Sequence, residues 1–268
     1  MFNVFLLFCV PFAIMWFIVF VWQWKKNPQN FYPNSRPLIF GHRGSPTNIT
    51  ENTLASFEKA IDDGVDGLEF DVRLTKDKQI VIFHDSDLQR LAGVNKKIQD
   101  LTYEELQEIK LEQGHRIPRL DGFVPLLEKI KAVNIEIKSD GIFKGQNIVK
   151  PLIQFLDKHN IDDKCIVSSF NPLILLRLKL KRSKTILGYL YNRSMIFHPW
   201  YNLVWMCRTR PENLHIHYSL LDSWTVKWAR SKGMKINSYT INDKKVFDRA
   251  KIDGVFTDNI EYLKQCRL

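Results

Sequence analysis

The stretch Leu38-Ile39-Phe40-Gly41-His42-Arg43-Gly44 joins a short apolar strand to a polar turn flanked by glycines. Glycine at the end of a strand lets a ligand approach the backbone closely. The imidazole can transfer protons, and the neighbouring guanidinium can bind an oxyanion through two hydrogen bonds. This pair favours chemistry on phosphate esters. Three further polar clusters downstream also stand at the ends of apolar runs.

Outward from this strand, short apolar runs alternate with helical patterns. Strands are predicted at Leu38–Phe40, Leu68–Val72, Ile80–Phe83, Ile135–Ile137, Cys165–Val167, Thr185–Leu190, Leu214–Tyr218, Lys235–Tyr239 and Gly254–Phe256. Helices are predicted near residues 52–62, 102–109, 123–131, 146–159, 171–181, 223–232 and 242–250. This alternation indicates a parallel α/β fold, most economically a TIM (β/α)8 barrel. The ninth strand is explained if Asp71–His84, which turns at Lys76-Asp77-Lys78, is an irregular hairpin.

The chain of 268 residues carries a formal net charge of +10, so anionic partners are favoured. Nucleic acid is not expected, because the aromatic residues do not alternate with basic ones and no zinc-finger or helix-turn-helix spacing is present. The cysteines are scattered without a CxxC pair, which predicts neither a zinc site nor a disulfide framework.

The N-terminal run from Phe2 to Trp24 is almost wholly apolar and meets Lys25-Lys26 directly. Its length suits a single membrane-spanning helix, and it lacks the basic start and small-residue cleavage site of a signal peptide. We therefore expect a transmembrane anchor over residues 1–26, a proline-containing linker over residues 27–37 and one barrel domain over residues 38–268. Because the lysines follow the span, the positive-inside rule places the barrel in the cytoplasm.

Three carboxylates are predicted to converge inside the barrel. Glu69 and Asp71 are two residues apart on one strand and so face the same side, and Glu136 lies on the next strand of the barrel. Carboxylates this close repel one another unless a cation lies between them. Oxygen ligands select a hard ion, so we expect one divalent cation, Mg²⁺ or Ca²⁺.

Four further side chains complete the cluster. His42 and His84 can move protons, and Arg43 and Lys138 can bind a phosphate group. Barrel enzymes carry their chemistry at the carboxyl ends of the strands, where these residues stand. Together with the carboxylates they predict metal-assisted cleavage of a phosphodiester.

The order of the motifs along the chain is characteristic: His-Arg-Gly, Glu-Asn-Thr, Glu-x-Asp, His-Asp, Glu-x-Lys, Ser-Phe and Asp-Gly-Val-x-Thr-Asp. From about Leu38 to Leu268 the sequence resembles the glycerophosphodiester phosphodiesterase family. The resemblance implies a TIM barrel that releases sn-glycerol 3-phosphate and an alcohol from glycerophosphodiesters. Thr50 and Tyr239 depart from the usual pattern. Neither departure removes an ionisable group, so both bear on which substrate shapes the site accepts.

By motif position, the resemblance implies a role for each site residue. Glu69, Asp71 and Glu136 resemble the metal ligands, and His42 and His84 resemble the general acid and base. Arg43 and Lys138 resemble contacts to the phosphate or the glycerol. The attacking nucleophile is left open between water and the glycerol 2-hydroxyl.

Two rival functions are weighed against glycerophosphodiester hydrolysis. A lysophospholipase D would use the same site on lysophospholipids, and the predicted anchor favours this function. The aromatic segment Met195–Met206 also favours it if the segment dips into the bilayer rather than packing on the barrel. A membrane scaffold with an inactive barrel would have lost an ionisable site residue, and none is missing. His215 and His217 share a strand face and are expected to line the barrel or its surface rather than to bind a metal.

Overall fold

The computed structural model describes residues 10, 13–47, 49–191 and 199–261, and within them eight parallel strands close into a barrel. The eight are β1 (Leu38–His42), β2 (Gly67–Leu74), β6 (Ala132–Ile137), β7 (Cys165–Ser169), β8 (Ile186–Tyr191), β9 (Asn213–His217), β10 (Lys235–Tyr239) and β11 (Gly254–Thr257). The barrel closes where β1 pairs with β11 on one side and β2 on the other. The predicted TIM barrel is confirmed, and all nine predicted strands are found.

Helices follow the strands and cover the outside of the barrel. They are α1 (Leu54–Asp62), α2 (Gln89–Ala92), α3 (Tyr103–Gln107), α4 (Val149–His159), α5 (Pro172–Lys181), α6 (Pro199–Thr209), α7 (Trp224–Ser231) and α8 (Lys244–Arg249), with a 3₁₀ segment at Leu120–Lys129. Local sequence sets several helix starts. Thr53 caps α1 by accepting a hydrogen bond from the Ser56 amide, and Asn171 caps α5 in the same way through Leu173. The apolar faces of these helices then pack on the strands.

The ninth predicted strand, β3 (Ile80–Ile82), pairs antiparallel with the end of β2, as the hairpin prediction requires. The chain between it and β6 also contains a short ribbon of β4 (Asp87–Leu88) and β5 (Val94–Lys97) that was not predicted. Val81, Phe83, Leu88 and further apolar residues give this excursion a core of its own. It is therefore a packed platform, and His84 stands on it.

The aromatic segment Met195–Met206 lies outside every predicted helix, but its described part belongs to the helix α6. Leu203, Met206 and Cys207 recur at helical spacing and are buried on the barrel side. Aromatic residues recur along this segment and conceal the helical spacing of its buried residues in the sequence. Residues 195–198 lie outside the described residues.

The predicted anchor is only partly described. Residues 13–16 are helical and continue into a π-helix at Phe17–Val21, and the chain from Trp22 to Pro28 has no regular structure. Among the described residues, no helix is both long enough and apolar enough to cross a membrane. Trp24, at the end of the predicted span, is buried, with its indole N–H donating to the Pro211 carbonyl at 3.2 Å.

Residues 27–37, predicted as a linker, close the amino end of the barrel. Tyr32 is buried among the first residues of several strands, including Leu38 and Ile186. Its hydroxyl lies 2.9 Å from the side-chain oxygens of both Asn213 and Asn237. The sequence could not show this, because a buried tyrosine and an exposed one look alike until the strands that surround it are assembled.

Replacing Tyr32 with phenylalanine should destabilise the protein by about 1–3 kcal/mol, because two buried asparagine side chains lose a hydrogen-bond partner. The free energy of unfolding in urea would measure this loss. Tyr103→Phe, at a half-exposed ring, is the matched control and should change it little. Equal stability of the two variants would contradict the role of Tyr32 as a plug.

Candidate active site

The barrel brings the predicted residues together at the carboxyl ends of its strands. His42 is the last residue of β1, Glu69 and Asp71 lie on β2, and Glu136 lies on β6 with Lys138 just beyond it. Strand pairing sets the alignment, since Glu69 is in register with His42, and Asp71 with Glu136. His84 arrives from the platform after β3. A cavity of about 230 Å³ is lined by His42, Glu69, His84, Glu136 and Lys138 together with Phe170 and Tyr239, while Asp71 is buried next to Lys138.

The three carboxylates form a compact acidic cluster. Glu69, Asp71 and Glu136 each offer an oxygen, and these atoms all lie within 4.8 Å of one another. All three side chains are buried, and Glu69 Oε1 has no hydrogen-bond partner among the described residues. Burial, together with the charge of Asp71, raises the pKa of Glu69 to about 8. An acidic cluster with an unpartnered buried oxygen is what a bound hard cation would relieve, so the residues fit Mg²⁺ or Ca²⁺.

Two cations border the acidic cluster. Lys138 Nζ contacts a carboxylate oxygen of Glu136 and lies 2.9 Å from Asp71 Oδ1, and Arg43 Nε lies 3.2 Å from Asp71 Oδ2. Burial alone would raise the pKa of Asp71, but Lys138 and Arg43 hold it well below its usual value. The pKa of Glu136 is raised by burial, against the effect of Lys138. Arg43 and Lys138 therefore balance part of the cluster's charge.

The backbone at Arg43 is shaped for this position. Arg43 has a φ of 53° and Gly44 a φ of 90°, which turns the chain sharply after β1. The Arg43 amide donates to Glu69 Oε2 at 3.1 Å, which fixes one oxygen of that carboxylate. A side chain at Gly44 would collide with Ser56, so only glycine permits this turn.

Each of the two histidines is held by an aspartate. His42 Nδ1 lies 2.7 Å from Asp258 Oδ1, and His84 Nδ1 lies 2.6 Å from Asp85 Oδ1. A carboxylate on Nδ1 fixes the tautomer and leaves Nε2 available to a reactant. Burial tends to lower the pKa of His42, but Glu69 and Asp258 outweigh it and raise that pKa. Burial, together with Lys138 and Arg43, lowers the pKa of His84 against the effect of Asp71.

Several residues around the site had no predicted role. In the sequence, Asp258 and the Glu51-Asn52 pair stand out only as members of the family motifs, and Asp85 only as part of His-Asp. Asn52, with a φ of 57°, donates to Asp71 Oδ2 at 2.9 Å and so orients a carboxylate of the cluster. Glu51 accepts hydrogen bonds from both Arg43 and Arg90. Their place in the motifs was the available signal, but only the fold shows which group each one touches.

The histidine pair on β9 does not join the acidic cluster. His215 is fully buried inside the barrel beneath the cavity, where burial lowers its pKa to about 3. Its Nε2 lies 3.1 Å from the amide nitrogen of Asn237. Among the described residues the acidic cluster is the one group of potential ligands close enough to hold an ion, and it includes neither His215 nor His217.

The model of the glycerophosphoryl diester phosphodiesterase family matches residues 42–262. The chain belongs to this family. A glycerophosphodiester phosphodiesterase of Caldanaerobacter subterraneus is 34% identical over 239 residues, which cover 85% of this chain and 96% of that protein. Membership makes the protein a phosphoric diester hydrolase, as its sequence predicted.

Two further relatives bear on the substrate. A phosphodiesterase from Oleispira antarctica, solved in complex with the product sn-glycerol 3-phosphate, is 27% identical with a TM-score of 0.75, and the match covers 89% of this chain and 98% of that one. A lysophospholipase D of Rattus norvegicus, GDPD1, is 31% identical over 59% of this chain and 56% of its own length.

Asp258→Asn should lower kcat/KM on the order of 10²-fold, because His42 loses the charge that holds its tautomer while the barrel keeps its packing. Steady-state turnover of a soluble glycerophosphodiester measures this, and circular dichroism reports the fold. Asp222→Asn, at an exposed carboxylate, serves as the control. If the two variants turn over at the same rate, Asp258 does not position His42.

Proposed function

We propose that the protein hydrolyses glycerophosphodiesters to sn-glycerol 3-phosphate and an alcohol with the help of one Mg²⁺ or Ca²⁺ ion. The observation that carries this proposal is the acidic cluster of Glu69, Asp71 and Glu136 at a cavity that two aspartate-held histidines also line. The three carboxylates would hold the ion. When bound, the ion would supply positive charge to the phosphoryl oxygens as negative charge develops on them.

Arg43 and Lys138 are proposed to contact the phosphate or the glycerol. Both already touch Asp71, and a metal ion on the carboxylates would release part of their charge toward a substrate oxyanion. The planar guanidinium of Arg43 suits two phosphate oxygens at once, whereas the ammonium of Lys138 acts as a point charge. Arg43 and Lys138 would then bind the substrate while the acidic cluster holds their side chains in position.

His42 and His84 are proposed to divide the proton transfers. One would take the proton from the attacking hydroxyl, and the other would give a proton to the departing alkoxide. The attacking hydroxyl belongs either to water or to the 2-hydroxyl of the glycerol, which would give a transient cyclic phosphate. Since Asp85 and Asp258 hold both rings at Nδ1, Nε2 is the atom through which each histidine acts.

His42→Ala and His84→Ala should each lower kcat on natural substrates by about 10²- to 10⁴-fold. A substrate with a nitrophenol leaving group needs no protonation on departure, so it should restore turnover only to the variant that lacks the general acid. This comparison assigns the two roles. Equal rescue of both variants, or substantial turnover by either on natural substrates, would remove the proposed division of labour.

Removing the ion should abolish turnover, and adding it back should restore it. Protein stripped with EDTA would be titrated with Mg²⁺ and Ca²⁺ separately, with heat of binding and thermal stability measured beside activity. Glu69→Gln should weaken ion binding and remove the rise in Tm on metal addition, while Glu58→Gln, at an exposed carboxylate of α1, should not. Ion binding by Glu69→Gln that equals the parent's would argue against the acidic cluster as the site.

A lysophospholipase D reaction is the second candidate, and the similarity to a lysophospholipase D over part of the chain supports it. Tyr239 and Phe170, whose rings meet edge to face at 6.2 Å, line the cavity with an apolar wall that tolerates a larger substrate. A turnover panel of glycerophosphodiesters against lysophospholipids decides between the two.

A substrate lacking the 2-hydroxyl decides the nucleophile, since unchanged turnover excludes the cyclic phosphate.

We also propose that the protein acts at a membrane as a single-pass protein with its barrel in the cytoplasm. The apolar run from Phe2 to Trp24 and the lysines that follow it support this proposal. In sealed vesicles whose outer surface is the cytoplasmic face of the membrane, an added protease should digest the barrel. A barrel that stays intact would contradict the cytoplasmic orientation.

A further inference from the structure

An exposed apolar surface lies along the N-terminal helical segment 13–21. Its described side chains are all apolar, and all but Val19 are exposed, with Trp16 exposed by 52% and Phe17 by 50%. A helix that is apolar on every face does not remain in water unless something covers it. The barrel covers only one side, since Val19 is buried and its carbonyl accepts a hydrogen bond from the indole of Trp228 at 2.9 Å.

The same surface continues onto the first turns of α6 and α7. Trp200 and Tyr201 on α6 are exposed by 59% and 43%, and Trp224 on α7 by 49%. Helices of a TIM barrel begin beside the carboxyl end of the strand before them, which is the end that holds the active site. We call Trp16, Phe20, Trp200, Tyr201 and Trp224 the aromatic collar.

The N-terminal segment runs along α7 from its start to its end. The ring of Phe20 lies 6.2 Å from that of Trp224 in the first turn. Gln23 donates to the carbonyl of Ser231 at 3.2 Å, and Lys232 donates to the carbonyl of Trp22 at 2.7 Å, both at the far end of the helix. Residues before Phe20 therefore lie toward the end of the barrel where the active site opens.

The occupant that best fits this surface is a lipid bilayer. Tryptophan and tyrosine favour the boundary between water and hydrocarbon. The sequence before residue 13 has one hydrophilic side chain, Asn3, so the apolar surface continues into an apolar stretch of chain. Exposed Lys227 stands three residues after Trp224 on α7, and positive charge there favours anionic headgroups.

We propose that the aromatic collar docks the barrel on the bilayer with the mouth of the active site facing the lipid. In this orientation a phosphodiester headgroup at the membrane surface faces the cavity without leaving the interface. This consequence rests on the proposed phosphodiesterase function, whereas the docking itself does not.

Site-directed spin labelling tests the orientation directly. The full chain, with Cys9→Ser and Cys266→Ser, retains two cysteines that are both buried. Nitroxides are attached to Trp200→Cys, Trp224→Cys and, as the matched control, Leu180→Cys. Leu180 is exposed by 72% near the end of α5, at the opposite end of the barrel. Each labelled protein is measured with and without vesicles of phosphatidylcholine and phosphatidylglycerol.

Vesicles should raise the ratio of oxygen to nickel-chelate collisions several-fold at positions 200 and 224, because oxygen concentrates among acyl chains, and should leave position 180 unchanged. Circular dichroism confirms that each variant folds, and Tyr201→Cys replaces a variant that fails this control. Equal accessibility at all three positions would overturn the proposal, as would shielding that rises with protein concentration without vesicles. A clear shift in a protein without phosphodiesterase activity would refute the proposed function and leave the docking surface standing.

Discussion

The repulsion among three buried carboxylates is the constraint on which the site depends. Glu69, Asp71 and Glu136 each offer one oxygen, and these three oxygens all lie within 4.8 Å of one another. Arg43 and Lys138 offset part of this charge, while burial still raises the pKa of both Glu69 and Glu136. A divalent cation would complete the balance, so the residues that make the site costly to fold are the same ones that are proposed to bind the ion and the phosphate.

The barrel makes this arrangement possible because its strands are anchored from the other end. Tyr32 packs at the amino end, where its hydroxyl meets Asn213 and Asn237, in a buried cluster with Phe40 and Phe256, whose ring centroids lie 5.0 Å apart. With the strands held there, their carboxyl ends can carry strained turns such as the one at Arg43. Stability and chemistry thus occupy opposite ends of one barrel.

Much of the fold could be predicted from the sequence because the hydrophobic periodicity of strands and helices, and the residues that end them, are local signals. Four apolar runs end in polar clusters, which contain His42, Glu69 with Asp71, His84, and Glu136, and all four clusters reached the site. The helix α6 was missed because its tryptophans and tyrosines obscure the helical period. The linker was misjudged because the burial of Tyr32 depends on residues about 180 and 200 positions away.

The sequence by itself determined the barrel, the family and the set of ionisable groups, since strand ends place their side chains by local rules alone. Only the tertiary structure decided how those groups pair. Asp258 reaches His42 because β11 closes against β1, and Asn52 reaches Asp71 because a left-handed turn precedes α1. These contacts join residues that are distant along the chain or turned by backbone geometry, and no local pattern encodes either relation.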